Sequence, residues 1–459
     1  MSKIEVDAID KQSGSTLTLG GSGTAVTLAS GATQTGFGRT GAVDWQTASI
    51  KTATFTAASG EGYFCNTAGG TFEVDLPAGV AGAIVSIQDY NNTFDSNSLT
   101  VDPNGSEKIN GGTAGGFITL STEGLGITFV YIDATVGWRS VDSNEYSTLG
   151  SIPTFICASV SGTGNTLATV DTNFKVATFT GPGTFTVNSV GNPAGSNEVS
   201  YTVVAGGGAG ANAMAALNGF GGGGGAGGFR EGKSPQDSYT SSPIACTSGS
   251  NNGIPVTAQG YAIAIGAGGA GRLNSAPGCG NRGSVSSALG ILSTGGGGGM
   301  YDGGNPSAPG GSGGGVGVCV VAVGSGNTPP VSPAQGTNGG TVSPPPQNSG
   351  GGGGGATVVG SNGTTGGPAG PGGAGATTSI NGTPTAFAGG GGGGGNQGET
   401  GGGAGGTGGG GAGGNFPSSP GTPGTTNTGG GGGSTSSAPA TLTAGNGGSG
   451  IVIIRYKFQ

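Results

Sequence analysis

The segment with the most familiar catalytic spacing is residues 227–234, which read GGFREGKS. Its glycines, Lys233 and Ser234 match the GxxxxGK[ST] pattern of loops whose amides and lysine hold phosphates at the start of a helix. That chemistry requires a strand before the motif and a helix after it. A glycine tract precedes this segment, and Pro235 follows without helical periodicity. We therefore interpret the match as an exposed connector in a glycine-rich chain.

Two further patterns match catalytic motifs only in residue type. Residues 310–314 (GGSGG) match the GxSxG nucleophile elbow around Ser312, but the chain has no histidine to act as its base or as a metal ligand. Carboxylates between residues 89 and 107 and between 133 and 145 would suit glycoside cleavage or Ca²⁺ binding if they converged. Several stand in turns, where Asp accepts hydrogen bonds from nearby backbone. We expect no catalytic residue, metal or cofactor, and no enzyme.

The composition excludes further classes of protein. Glycine supplies 116 of 459 residues, charged residues are 7%, and the net charge is −8. An acidic chain of this kind does not track nucleic-acid phosphates or anionic lipids. The five cysteines include no CxxC pair, which argues against a zinc cluster. No apolar run is long enough for a bilayer. We expect neither a nucleic-acid partner nor membrane insertion.

The elements that would position any site are predicted to be strands, and the fold class is all-β. Residues 1–48 contain two short alternating stretches, STLTLG (15–20) and TAVTLA (24–29), which predict N-terminal anchor strands. Residues 49–146 predict a small sandwich or barrel of short strands. Residues 147–200 predict a second small β unit, with a hairpin around Gly181-Pro182-Gly183.

Residues 201–459 alternate short apolar segments with glycine tracts. We expect the tracts to pack as polyglycine II helices framed by short strands, because glycine backbones can approach closely and hydrogen-bond laterally. The closing IVIIRYKF (451–458) is predicted to be a last strand that locks this lattice. The alternative for this half is disorder, since glycine loses the most entropy on ordering.

The connectors between tracts carry the informative surface chemistry. Aromatic rings among Ser, Gly and Asn are typical of recognition loops, because rigid rings give contact area at low entropy cost. We therefore predict receptor-contact loops, and the alternative is plain turns. The candidate contact residues are Phe229, Arg230, Tyr239, Tyr301 and Phe416.

Three stretches together resemble a known group of proteins. The opening MSKIEVDAID with TGAVDWQTASIKTATFTAASGEGYF (40–64), and the segment 74–142, resemble tail-fibre-like structural proteins of marine bacteriophages. Residues 174–211 with GNGGSGIVIIRYKFQ (445–459) resemble the glycine-rich domain that ends many phage fibres and adhesins. The resemblance implies a trimeric virion protein whose glycine tracts pack as threefold helices and whose distal loops contact a receptor.

The sequence therefore predicts a bacteriophage tail fibre or appendage protein, assembled in the host cytoplasm and located in the virion. Residues 1–48 would bind other virion proteins, and the glycine-rich half (201–459) would bind a host-surface glycan or protein receptor as part of a homotrimer. Three alternatives stay open: a head-decorating or other virion fibre without a receptor role, a glycan depolymerase acting through Asp/Glu pairs, and a silk-like surface protein.

Overall fold

The computed structural model describes residues 43–459 except for 142–149, 193–194, 214–219, 247–252, 273–277, 302–308, 318–322, 343–348, 397–400, 418 and 437–441. The chain divides into two compact units, Met1–Ser151 and Ile152–Gln459. The predicted strands at 15–20 and 24–29, and most of the predicted attachment segment 1–48, lie outside the described residues.

All the regular secondary structure of the described residues is β-strand, which confirms the predicted all-β class. None of the described residues forms a helix of the length and apolarity that a membrane span needs. The pattern follows from composition. Segments of Val, Ile, Thr and aromatic residues favour strands, and the glycine and proline between them disfavour helix interiors.

The first unit winds its chain between two sheets. Its described strands are β1 (Asp44–Trp45), β2 (Phe55–Thr56), β3 (Glu61–Cys65), β4 (Phe72–Asp75), β5 (Ile84–Asp89), β6 (Leu99–Asp102), β7 (Ile118–Leu120), β8 (Gly126–Asp133) and β9 (Gly137–Ser140). Sheet A has the order β1-β3-β5-β8-β9, and sheet B has the order β2-β4-β6-β7. The first three strands of each sheet are parallel, and the later strands join antiparallel. The predicted sandwich is present, and its first half is wound like a solenoid.

Side chains fill the space between sheets A and B. Inward-facing residues of both sheets are fully buried, for example Ile87, Leu99 and Phe129. Trp138 is also fully buried, and its indole N–H donates to the Glu107 carboxylate at 2.9 Å. The core of this unit is therefore a conventional apolar one with satisfied polar groups.

The second unit combines sheets with glycine tracts. Its described strands are β10 (Cys157–Ser161), β11 (Thr166–Val170), β12 (Phe174–Phe179), β13 (Gly183–Ser189), β14 (Glu198–Val204), β15 (Phe229–Gly232), β16 (Ile254–Pro255), β17 (Gly260–Ile263), β18 (Ser286–Ala288), β19 (Ile291–Ser293), β20 (Ala376–Thr378), β21 (Thr385–Phe387) and β22 (Ile451–Lys457). The largest sheet has the order β11-β12-β22-β14-β15, with β16 also paired to β14. Strands β10, β13 and β17 form a second sheet.

The predicted hairpin around residues 181–183 is wrong. Strand β12 pairs with β11 and β22, whereas β13 pairs with β10 and β17, so the chain crosses between sheets at this turn. The hairpin lies one turn earlier, where Asp171 and Thr172 both have positive φ, as a tight β-turn between twisted strands requires.

Strand β22 lies between β12 and β14 in the middle of the largest sheet, which confirms the prediction of a locking last strand. Strand β12 lies within residues 147–200, and β14 (Glu198–Val204) crosses residue 200, so the largest sheet joins this segment to the glycine-rich half. The composition changes near residue 200, but the compact unit already begins at Ile152.

The glycine tracts form the predicted lattice, and residues 221–228 are its best example. Their amides donate to three tracts in strict rotation: Gly222, Gly225 and Gly228 to one tract (294–300), Gly223 and Ala226 to a second (350–355), and Gly224 and Gly227 to a third (429–433). Residues three apart therefore face the same neighbour, which is the signature of a helix with three residues per turn.

The carbonyls of the same tract rotate in the same way toward three other tracts. They accept hydrogen bonds from amides in residues 205–211, 312–315 and 391–394. Tract 221–228 therefore has six neighbours and buries its whole length. A Cβ built at Gly223 would collide with the backbone of residue 391, so this packing admits only glycine there.

Candidate functional site

The two ends of the lattice differ, and we call them the base and the tip. At the base, Ala205 donates to Gly228, and both residues continue directly into strands β14 and β15. At the tip, Gly222 donates to Met300, Gly351 donates to Val316, and Thr435 donates to Ala211. The base is therefore joined to the sheets.

Several connectors begin and end at the tip. The chain leaves the described tracts there after Ala213, Asn396 and Ser436, and it returns there at Phe220, Gly401 and Leu442. The intervening residues lie outside the described part. Two described connectors, 364–367 and 415–417, also lie at this end, because Ser349 Oγ donates to the carbonyl of Thr364 and Gly402 donates to the Asn415 side chain.

Three of the five predicted contact residues lie at the base. Phe229 is in strand β15 and is 1% exposed, and Tyr239 is 6% exposed in the same apolar cluster. As receptor contacts these two predictions are wrong, because each ring fills the core of the base. Arg230 is half-buried on β15, paired in register with Val203.

The other two predicted residues, Tyr301 and Phe416, lie at the tip. Tyr301 is buried there at 5% exposure, so its ring is not offered to a partner. Phe416 is 37% exposed and is the predicted ring that a partner could reach. The structure thus brings two of the five residues to one end and leaves one of them accessible.

The base contains a buried charge network that the sequence did not reveal. Arg455, on strand β22, is fully buried, and its Nε donates to both carboxylate oxygens of Asp237 at 2.8 and 3.0 Å. Its Nη2 donates to Asp171 at 2.8 Å, and its guanidinium lies 4.5 Å from the centre of the Phe174 ring. Such a network specifies how β22 docks, because an unpaired buried arginine is strongly unfavourable.

Tyr239 lies in the same network, with its ring centre 5.5 Å from the Arg455 guanidinium. Burial raises the pKa of the Tyr239 hydroxyl, the Glu231 and Asp237 carboxylates raise it further, and Arg455 lowers it. Glu231 is itself buried and accepts from the Thr378 hydroxyl at 2.6 Å and from the Ser242 amide at 2.9 Å. The Glu231 carboxylate is thus satisfied, whereas the Tyr239 hydroxyl is buried without a hydrogen-bond partner among the described residues.

A crevice of about 160 Å³ lies beside Arg455, lined in part by Glu198, Ser200 and Ser234. It is smaller than the ~300–1,000 Å³ of typical ligand pockets. The Ser200 hydroxyl donates to Asp237 at 2.9 Å and accepts from the Ser234 amide at 3.0 Å. The crevice is thus part of the same structural network.

The segment 227–234 contains strand β15 and is not the predicted exposed connector. Residues 229–232 pair with β14, and none of the described residues after Ser234 forms a helix that could receive a phosphate. The Lys233 ammonium lies 5.5 Å from the centre of the Tyr239 ring. Ser312 of the formal nucleophile elbow is fully buried and donates to the carbonyl of Gly355 at 3.0 Å.

The predicted acidic groups mostly support turns, as expected. The buried Asp89 carboxylate accepts from four backbone amides, those of residues 91, 93, 94 and 124. One cluster was not predicted: Glu73, Asp75 and Asp102 on sheet B bring carboxylate oxygens within 4.8 Å of one another. Desolvation raises the pKa of Glu73, and its hydrogen bond to Asp75 and the charge of Asp102 raise it further. Three such oxygens could approach one cation.

The sheets and the hexagonally packed tracts define a glycine-rich β protein of the polyglycine-helix type. A family model described as a glycine-rich domain matches residues 177–457, and the chain belongs to this family. The match begins within β12 and ends at the last residue of β22, so it covers the lattice and most of the sheet that frames it. No curated protein matches the chain.

Proposed function

We propose that the second unit is a rigid scaffold that presents the connectors at its tip to a host-cell surface, as part of a bacteriophage tail fibre or related appendage. The observation that carries this proposal is the difference between the two ends of the lattice. The base joins the sheets and also has turns between tracts, such as 407–409, whereas no described strand lies at the tip and the chain there passes from tract to tract through connectors. A protein that needed only a spacer would not require one end whose described residues are tract ends and connectors alone.

Rigidity supports a recognition role. Loops on a fixed scaffold lose less entropy on binding than loops on a flexible chain. Tract 221–228 is fixed by hydrogen bonds to six neighbours, so the connectors that leave its tip end start from defined positions. Phe416 is an accessible aromatic contact at this end, of the kind that recognition surfaces favour.

The rest of the proposal rests on the resemblance of the quoted stretches to phage fibre proteins. Residues 1–48 attach the chain to other virion proteins, and three copies form the fibre in the virion. The receptor is a glycan or a protein of the host surface. The chain acts by binding and not by catalysis.

The test uses phage particles that carry variants of the full chain. Phe416→Ser at the tip is compared with Arg230→Ser, which changes a partly exposed residue at the base. We expect the tip variant to slow adsorption to host cells and the base variant to adsorb at the normal rate. Melting curves of both purified variants control for folding.

Immunogold labelling with antibodies against the chain gives the position on the particle. Label on tail fibres supports the proposal, and label on the head surface favours the decorating alternative. Absence of the chain from purified particles, or equal adsorption of both variants, contradicts it. Release of oligosaccharides from host polysaccharide by the purified chain would favour the depolymerase instead.

A further inference from the structure

Three aromatic rings form an exposed group on the first unit, far along the sequence from the lattice. Trp45 is on β1, Phe64 is on β3, and Tyr90 directly follows β5. Tyr63 and Cys65 face the core, so the alternation of a strand directs Phe64 to the outer face of sheet A. Trp45 is 40% exposed and Tyr90 is 54% exposed.

Phe64 contacts both of the other rings. The ring centres of Trp45 and Phe64 are 5.0 Å apart, and those of Phe64 and Tyr90 are 6.5 Å apart. Trp45 lies over Gly62, where a Cβ would come within 2.8 Å of the indole. Because Gly62 has no side chain, the indole packs directly on the sheet, and this contact orients the ring.

Amide side chains lie near the rings, and the exposed Asp44 directly precedes Trp45. Gln46 and Asn91 follow Trp45 and Tyr90, and Gln88 is in register with Phe64. The cation–π contacts found among the described residues involve other rings, such as Phe55 and Tyr63. The surface thus offers ring faces with neighbouring amides and no bound cation.

The size of the group argues against a large protein partner. The exposed parts of Trp45 and Tyr90 amount to about 100 Å² each, given the ~150–250 Å² of a whole aromatic side chain. A stable protein interface needs about 800 Å² from each partner. One or two sugar rings match the smaller area.

The chemistry of the rings matches the same ligand. The face of an aromatic ring is negative, and it attracts the polarised C–H groups on the flat face of a pyranose. Amide side chains at the border can donate to and accept from sugar hydroxyls. A chain with a net charge of −8 would repel an anionic polymer, so a neutral sugar is favoured.

We propose that Trp45, Phe64 and Tyr90 form a binding surface for a neutral β-linked glycan of glucose or N-acetylglucosamine units. The equatorial substituents of these sugars leave one face of C–H groups for stacking. The surface is on the first unit, so it is additional to the receptor contacts proposed for the tip and stands if those fail.

The chain carries its own reporter for this surface. It contains two tryptophans, and Trp138 is fully buried, so changes in accessible tryptophan fluorescence come from Trp45. Chitohexaose and cellohexaose are titrated into the full-length protein. We expect a saturable blue shift of the emission and protection from acrylamide quenching with at least one of them.

Tyr90→Ala keeps the reporter and removes one ring, and we expect at least about tenfold weaker binding. Val80→Ala, at another exposed apolar residue, should bind like the wild type. Melting curves of both variants establish that they are folded.

Two results overturn the proposal. One is an emission that neither hexasaccharide changes at millimolar concentration, or that only dextran sulfate changes. The other is sedimentation in which wild-type protein self-associates and Tyr90→Ala does not, because the rings would then cover a second copy of the chain.

Discussion

The first unit and the glycine lattice reach a buried interior by opposite means. In the first unit, side chains such as Leu99, Phe129 and Trp138 fill the space between two sheets. In the lattice, tract 221–228 is buried although its only side chain is the methyl group of Ala226. The atoms removed from water there are peptide groups, and successive groups pair with different tracts.

This difference shows what glycine contributes to a fold. A peptide group can be buried if its N–H and C=O are hydrogen-bonded. A tract that hydrogen-bonds to six neighbouring tracts needs neighbours without side chains, because only these can approach closely enough. Ordering glycine loses more entropy than ordering any other residue, so a single tract cannot stay ordered alone. The lattice therefore has to form as one cooperative body, whereas an apolar core can tolerate the loss of one contact.

The largest expected effect is that of Gly223→Val. The new side chain collides with the backbone of residue 391, and backbone on every side leaves no room to relax. We expect the second unit to fail to fold while the first unit keeps its own transition in scanning calorimetry. Gly392→Val, beside the backbone of residue 403, should behave in the same way.

The matched control is Gly181→Ala, in a turn of the same unit. A Cβ there makes only an ordinary contact with the carbonyl oxygen of Thr163, at 3.4 Å. Its melting should stay close to that of the wild type. If Gly223→Val melts normally too, and its amides exchange within seconds, the tracts are flexible and the contrast between the two units disappears.

The next largest effect concerns the buried Arg455. Arg455→Met leaves the Asp237 carboxylate buried without its partner, and breaking a buried pair in this way typically costs ~3–5 kcal/mol. We expect the second unit to lose about that much unfolding free energy in urea titrations. Lys457→Met, on the same strand and half-buried, should lose much less. Equal losses would show that β22 is held by its backbone ladder and not by the charge network.

The second unit also shows how much of a structure could be predicted from its sequence. The apolar character of residues 451–458 predicted β22, and the repeated glycine tracts predicted the lattice, because both signals are local. The partners of each strand did not follow. Residues 174–190 have the composition of a hairpin, but β12 takes β22 as a partner from the far end of the chain. Nothing local encodes such a pairing.

The candidate site shows the same limit. Phe229 and Tyr239 stand beside glycine, serine and lysine, as loop residues do, but both are buried at the base. The period-2 pattern of β15, with Phe229 and Glu231 on one face, was the signal that this segment is a strand. The Arg455 network joins residues more than two hundred positions apart, so no spacing rule would have found it.

In the first unit, Leu99→Ala tests the side-chain half of the comparison. Leu99 is fully buried on β6, and deleting a buried leucine side chain costs ~3 kcal/mol or more through lost burial and a residual cavity. We expect the calorimetric transition of the first unit to move to lower temperature and that of the second unit to stay in place. A shift of both transitions together would show that the chain unfolds as one body.

The smallest expected effect comes from the carboxylates on sheet B. Desolvation raises the pKa of Glu73 in the folded protein above its ordinary value of 4.5, and desolvation and the charge of Asp75 raise that of Asp102. The folded state then binds more protons than the unfolded state in this window, so the stability of the first unit falls as the pH rises through it.

Glu73→Gln removes one of these charges. We expect the variant to show a flatter pH dependence and to gain less than ~1 kcal/mol at neutral pH, the scale of exposed charge interactions. The measurement is urea unfolding of the first unit from acid to neutral pH, with Glu123→Gln at an exposed carboxylate as the control. If Glu73→Gln destabilises the unit at neutral pH instead, the charged Glu73 is favourable and the three carboxylates do not repel one another in the fold.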